Sequence, residues 1–125
     1  MVIHDTFPDF LLFIYVHMSE ADHNYDPREM AIIKKKMQAL FPEGTDLEQK
    51  LYRTIRDYNN FDKSLLNTLF RDSFEKFKGA NPALREHLIQ DIQEIANADG
   101  AMNASESHAL ESLKRIIELT SATAS

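Results

Sequence analysis

The chain has 125 residues, with 14 Lys and Arg against 20 Asp and Glu, a formal net charge of −6. One domain of this size buries roughly two-thirds of its unfolded surface, enough for a core without staples. There are no cysteines, so disulfide frameworks, thiolate metal sites and cysteine nucleophiles are excluded, and the acidic balance argues against nucleic acid, which requires a positive footprint.

The longest apolar run is Phe10-Leu11-Leu12-Phe13-Ile14-Tyr15-Val16. A membrane span needs about 18 such residues, and no Lys or Arg precedes the run as a secretory signal requires. The run reads instead as a core helix from about Pro8 to Ala21, buried nearly all round, in a protein expected to be cytoplasmic.

Helix two opens at Asp26-Pro27-Arg28-Glu29, with Asp as N-cap, Pro at the first helical position and Glu three residues on. Its inward stripe is Met30, Ile33, Met37 and Leu40, and Pro42 ends it. Thr45-Asp46-Leu47-Glu48 reads as a further capping box, with a stripe of Leu47, Leu51, Ile55 and Tyr58 behind it. Helix four, about Asp62 to Lys78, carries Leu65, Leu66, Leu69, Phe70, Phe74 and Phe77 and stops at Gly79. Asn81-Pro82 caps helix five, with Leu84, Leu88, Ile92 and Ile95 inward. Helix six starts at Asn103-Ala104-Ser105-Glu106 and buries Ala109, Leu110, Leu113, Ile116 and Ile117. No stretch alternates as a strand would. The expected fold is all-α, a compact bundle of about six helices in a single domain over residues 1–125.

The two ends of the chain echo each other at an offset of 77 residues. Ala21-Asp22-His23-Asn24-Tyr25-Asp26-Pro27-Arg28-Glu29 aligns with Ala98-Asp99-Gly100-Ala101-Met102-Asn103-Ala104-Ser105-Glu106. Each copy reads as helix, short turn, helix, which predicts two pseudo-repeated helical hairpins. Capping accounts for Asp26, Asn103, Glu29 and Glu106 without any further role. Asp22 and Asp99 differ, because an acid at a helix C-terminus opposes the macrodipole. The same local cost in both copies points to a nonlocal purpose, with acceptance of turn amides as the plainer alternative. If the hairpins pack symmetrically, up to five carboxylates converge, a cluster that is repulsive unless a cation fills it or some members stay protonated.

Ala98-Asp99-Gly100 with Glu106, and its echo Ala21-Asp22 with Glu29, resemble the signature of the TerB family, the tellurite-resistance superfamily that also includes the N-terminal domain of the DjlA co-chaperone. The resemblance covers most of the chain. It implies an all-helical fold with two pseudo-repeats, an acidic surface and a role in metal-linked stress response. The family's acidic positions carry over to Asp22, Glu29, Asp99 and Glu106, with Asp26 and Asn103 matching less strictly. His23 stands where the family has Gly.

A thiol-free carboxylate set suits Ca²⁺, Mg²⁺ or Mn²⁺. The spacing is not that of an EF-hand, since its glycine and terminal glutamate are missing. Zinc is a lesser choice, with His23 and Asp22 as its best pair. The other histidines, at 4, 17, 87 and 108, read as packing or surface residues, and Lys34-Lys35-Lys36 reads as the solvated face of helix two. The expected function is therefore divalent-metal binding through Asp22, Asp26, Glu29, Asp99, Asn103 and Glu106. The alternative is a metal-free helical module whose acidic surface meets a basic protein or a second copy. No nucleophile, base and oxyanion donor stand together, so no enzyme activity is expected.

Overall fold

The structure, a computed structural model, describes residues 2–20, 27–77, 88, 90–95 and 107–115. The chain is all-α, and among the described residues there is no strand. The helices are α1 (Phe7–Glu20), α2 (Pro27–Leu40), α3 (Leu47–Asn60), a 3-10 turn (Lys63–Leu65) and α4 (Leu66–Lys76). Two further helical stretches cover 90–95, here called α5, and 107–115, here called α6.

Helix α1 starts where a local exchange of hydrogen bonds favours it. The Thr6 hydroxyl donates to Asp9 Oδ2 at 2.8 Å, and the Asp9 amide donates back to Thr6 Oγ1 at 3.4 Å. This satisfies one of the orphan N–H groups of the first turn, and the acid sits at the positive end of the helix. Every side chain from Phe10 to Val16 is buried, and Met18 with them. Each large apolar side chain taken from water is worth about 1.5–3 kcal/mol, so α1 is the axis on which the rest assembles.

Helices α2 and α3 pack on α1 and on each other. Pro27 is the first residue of α2, the position where its missing N–H costs nothing. Ile33 and Met37 are fully buried, with Met30, Ile32 and Leu40 partly buried beside them. The chain leaves α2 before Pro42. Thr45 N–H donates to the Pro42 carbonyl at 3.2 Å, closing a turn in which Gly44 takes φ of 93°, a conformation that side chains disfavour.

Helix α3 begins one residue later than the Thr45 box predicts. Asp46 is its N-cap and accepts from the Gln49 amide at 3.0 Å. The Thr45 hydroxyl instead donates to the Pro42 carbonyl at 2.7 Å, completing the turn rather than the helix. Of the expected stripe, Leu51 and Tyr58 are buried, and Leu47 and Ile55 partly so.

The fourth element also departs from a single continuous helix. Asp62 caps the 3-10 turn by accepting from the Ser64 amide at 3.0 Å and its hydroxyl at 2.7 Å. Three residues per turn instead of 3.6 changes the phase of the faces. Leu65 consequently points outward at 36% exposure, whereas Leu66, Leu69, Phe70 and Phe74 turn inward as predicted. Helix α4 meets α1 through rings. Phe10 lies edge-on to Phe74 at 5.1 Å between centroids and stacks on Phe77 at 6.0 Å.

Leu88, Ile92 and Ile95 are buried in the same core, as are Ala109, Leu110 and Leu113. Gly79, the Asn81 cap, Leu84, Ile116 and Ile117 lie outside the described residues. Among the described residues, no helix is long and apolar enough to cross a membrane.

The capping geometry gives a direct test. Asp46→Ala should destabilise the protein by about 1 kcal/mol, read by urea denaturation, because a helix-opening amide loses its acceptor. Glu48→Ala should cost distinctly less, since its contacts, to Lys34 at 3.6 Å and Tyr52 at 3.5 Å, are long and exposed.

Candidate functional site

Of the six residues proposed as metal ligands, the described residues include Glu29, in the first turn of α2. Its side chain is 1% exposed, although its neighbours Pro27 and Arg28 are exposed. This carboxylate is turned into the protein. Burying such a group is costly unless it is compensated; Glu29 has polar partners and lies at the N-terminal end of the α2 dipole, which favours its charge. Asp22, Asp26, Asp99, Asn103 and Glu106 lie outside the described residues, as does His23. Among the described residues no three His, Asp or Glu side chains gather as a metal site.

Three polar clusters stand at the margin of the core. The first joins α1, α2 and α5. Lys36 Nζ donates to Asp91 Oδ1 at 2.8 Å and lies 2.7 Å from Glu94 Oε2. Tyr15 OH donates to the other Asp91 oxygen at 3.1 Å. Lys36 is 16% exposed, so it does not belong to a solvated face as its place in the run Lys34-Lys35-Lys36 suggests. Burial alone would lower the Lys36 ammonium, but hydrogen bonds and charge from Asp91 and Glu94 outweigh it and raise its pKa. Burial, followed by the Asp91 charge, pushes the Tyr15 hydroxyl well above its usual range.

The second cluster is His17 with Tyr58 and Lys63. His17 Nδ1 and Tyr58 OH share a 2.8 Å hydrogen bond between α1 and α3. The imidazole also meets the Phe70 ring at 5.0 Å. Lys63 Nζ sits 4.4 Å above the Tyr58 ring and donates to the Tyr58 and Phe61 carbonyls. Burial, with a smaller push from Lys63, drops the His17 pKa to about 4. His17 is therefore a neutral packing residue, engaged with Tyr58 and Phe70.

The third is a cleft of about 240 Å³ between residues 3–5, α1 and α3. Lys50 Nζ bridges to Asp9 Oδ1 at 2.9 Å there and stands 4.7 Å from the Phe41 ring centre. Burial would raise the Asp9 carboxyl, but hydrogen bonds from Lys50 and Thr6 prevail and hold it below the ordinary carboxylate range.

Sequence reasoning overlooked the Lys36 cluster. Its available signal was Asp91 and Glu94 at a helical spacing of three, which places both acids on one face where a cation can bridge them.

The buried α1 and the helices packed around it define a small all-α helical domain. The family model for "Tellurite resistance protein TerB" matches residues 10–125, nearly the whole chain, and the chain belongs to that family. No curated protein and no solved structure gives a significant match.

Two measurements test these clusters. Lys36→Met should cost about 1–2 kcal/mol in chemical denaturation, because Asp91 then loses the ammonium that neutralises it, while Lys35→Met should stay within about 0.5 kcal/mol. His17 has a folded-state pKa below its unfolded value near 6.5, so its contribution is whole above that pH and is lost as pH falls towards 4. The loss should reach up to about 3 kcal/mol. A pH series of melts on wild type and His17→Phe checks it, the variant showing the shallower acid limb.

Proposed function

We propose that this TerB-family protein binds a hard divalent cation, Ca²⁺, Mg²⁺ or Mn²⁺, through its two acidic turns, in a tellurite-resistance-type or general stress response. Asp22, Asp26 and Glu29 from the first turn and Asp99, Asn103 and Glu106 from the second would hold the ion. The observation that carries this reading is the inward burial of Glu29. It is the described member of the set, and an inward carboxylate at a helix start is compatible with a shared site.

The pseudo-repeat gives secondary support. Positions 77 residues apart share burial, as in Leu11 with Leu88, Tyr15 with Ile92, Met18 with Ile95, and Ile33 with Leu110. Two copies of one hairpin placing equivalent faces in one core would bring their turns to equivalent places. The cation would then offset the repulsion among the carboxylates. We read the protein as a binding domain of the cytoplasm rather than an enzyme.

Thermal melts with Ca²⁺, Mg²⁺, Mn²⁺ or Zn²⁺ against chelator test the proposal. A native-state ligand at a hundredfold excess over Kd stabilises by about 2.7 kcal/mol, several degrees in Tm for a domain of this size. One of the first three ions should give such a shift, and Glu29→Gln and Asp99→Asn should each abolish it. Asp99→Asn should also slightly raise the Tm of the metal-free protein, by relieving dipole and like-charge repulsion. No shift with any cation overturns the proposal and favours a basic protein partner for the acidic surface.

A further inference from the structure

Residues 2–6 run across the aromatic end of the core before α1 begins. The side chain that seats this segment is His4. Its ring lies 5.0 Å from Phe13 and 5.9 Å from Phe10, centroid to centroid. Its Nδ1 is buried and has no hydrogen-bond partner. The segment's long-range hydrogen bond among the described residues runs from Lys76 Nζ to the His4 carbonyl, at 3.1 Å. Val2 and Ile3 remain exposed, at 41% and 50%.

An imidazole is a poor choice for such a seat if packing is its only task. Phenylalanine would fill similar space without hiding an unsatisfied nitrogen. What imidazole adds is a proton taken up close to neutral pH. We propose that residues 2–6 form an acid-released strap, in which protonation of His4 lifts its ring from Phe10 and Phe13 and opens the cleft beside Lys50 and Arg53.

The groups facing His4 decide the direction. Asp5 on the strap, Asp9 on α1 and Asp57 on α3 favour the imidazolium, whereas Lys76 on α4 opposes it. Burial exceeds all of these and holds the His4 pKa below 6.5. The docked strap thus prefers the neutral ring. Its stability is complete above the unfolded pKa near 6.5 and declines as pH falls below that value. The capping exchange between Thr6 and Asp9 joins the strap to the first turn of α1 and sets where it hinges. His4 and His17 differ in consequence, since the interior His17 loosens the whole domain while His4 frees only its edge.

The test is an NMR titration of the full chain from pH 8 to 5, following the His4 ring signals together with the backbone order of residues 2–6. Expected is a His4 midpoint below that of an ordinary histidine, with loss of order in residues 2–6 over the same window while the amides of α1 and α3 stay ordered. His4→Phe should keep the strap ordered throughout. Lys76→Gln should loosen the strap at every pH and, with that opposing charge gone, move the His4 midpoint upward. Order in residues 2–6 that is unchanged across the His4 titration overturns the proposal, as does the same loss of order in His4→Phe. The wild-type titration decides the matter by itself should a variant fail to fold.

Discussion

From Phe10 to Val16, α1 has no side that can face water. A helix with an apolar surface all round must be enclosed, and that constraint places the other elements. Helices α2 and α3 pack on it directly. Helix α4 reaches it through large rings, with Phe70 and Phe74 against Phe10. Leu88, Ile92 and Ile95 join the same core, as do Ala109, Leu110 and Leu113. An amphipathic helix at the centre would leave the surrounding stripes without a common partner.

Enclosing α1 also draws polar groups inward, and three of them are compensated in different ways. Tyr15 reaches Asp91, which Lys36 neutralises. His17 stays neutral and shares a hydrogen bond with Tyr58. Asp9 keeps its charge through Lys50 and Thr6. These contacts link α1 to α5 and α3, and α5 to α2, and charged or polar pairs of this kind specify register as well as contributing energy. Ser19 and Ser73 are buried as well. Small hydroxyls are the least costly polar groups to place where helices pack closely.

Much of the fold was legible because it follows from local rules. Pro27 at a helix start, the burial of Ile33, Met37 and Leu51, and the inward face of α4 all come from helical spacing and capping. Two boundaries shifted for local reasons of a finer kind. Thr45 had a nearby carbonyl to bond and left capping to Asp46. Asp62 stabilised a 3-10 turn that moved Leu65 out of phase. Of the candidate site, the inward placement of Glu29 is the part that adds to the sequence, since capping and ligation require the same residue there and helical spacing does not say how deeply it is buried.

The amino-acid order by itself determined that the chain is helical, that α1 lies at its centre, and that the TerB pattern runs through it. These depend on the period of apolar residues and on caps that act within four residues. Only the tertiary structure decided that Lys36 leaves the solvated lysine run to hold Asp91 and Glu94, that His17 serves Tyr58, and that His4 hides a nitrogen under the aromatic rings. Each depends on residues more than 40 positions apart, or on which face of a ring is covered, and no local spacing encodes either.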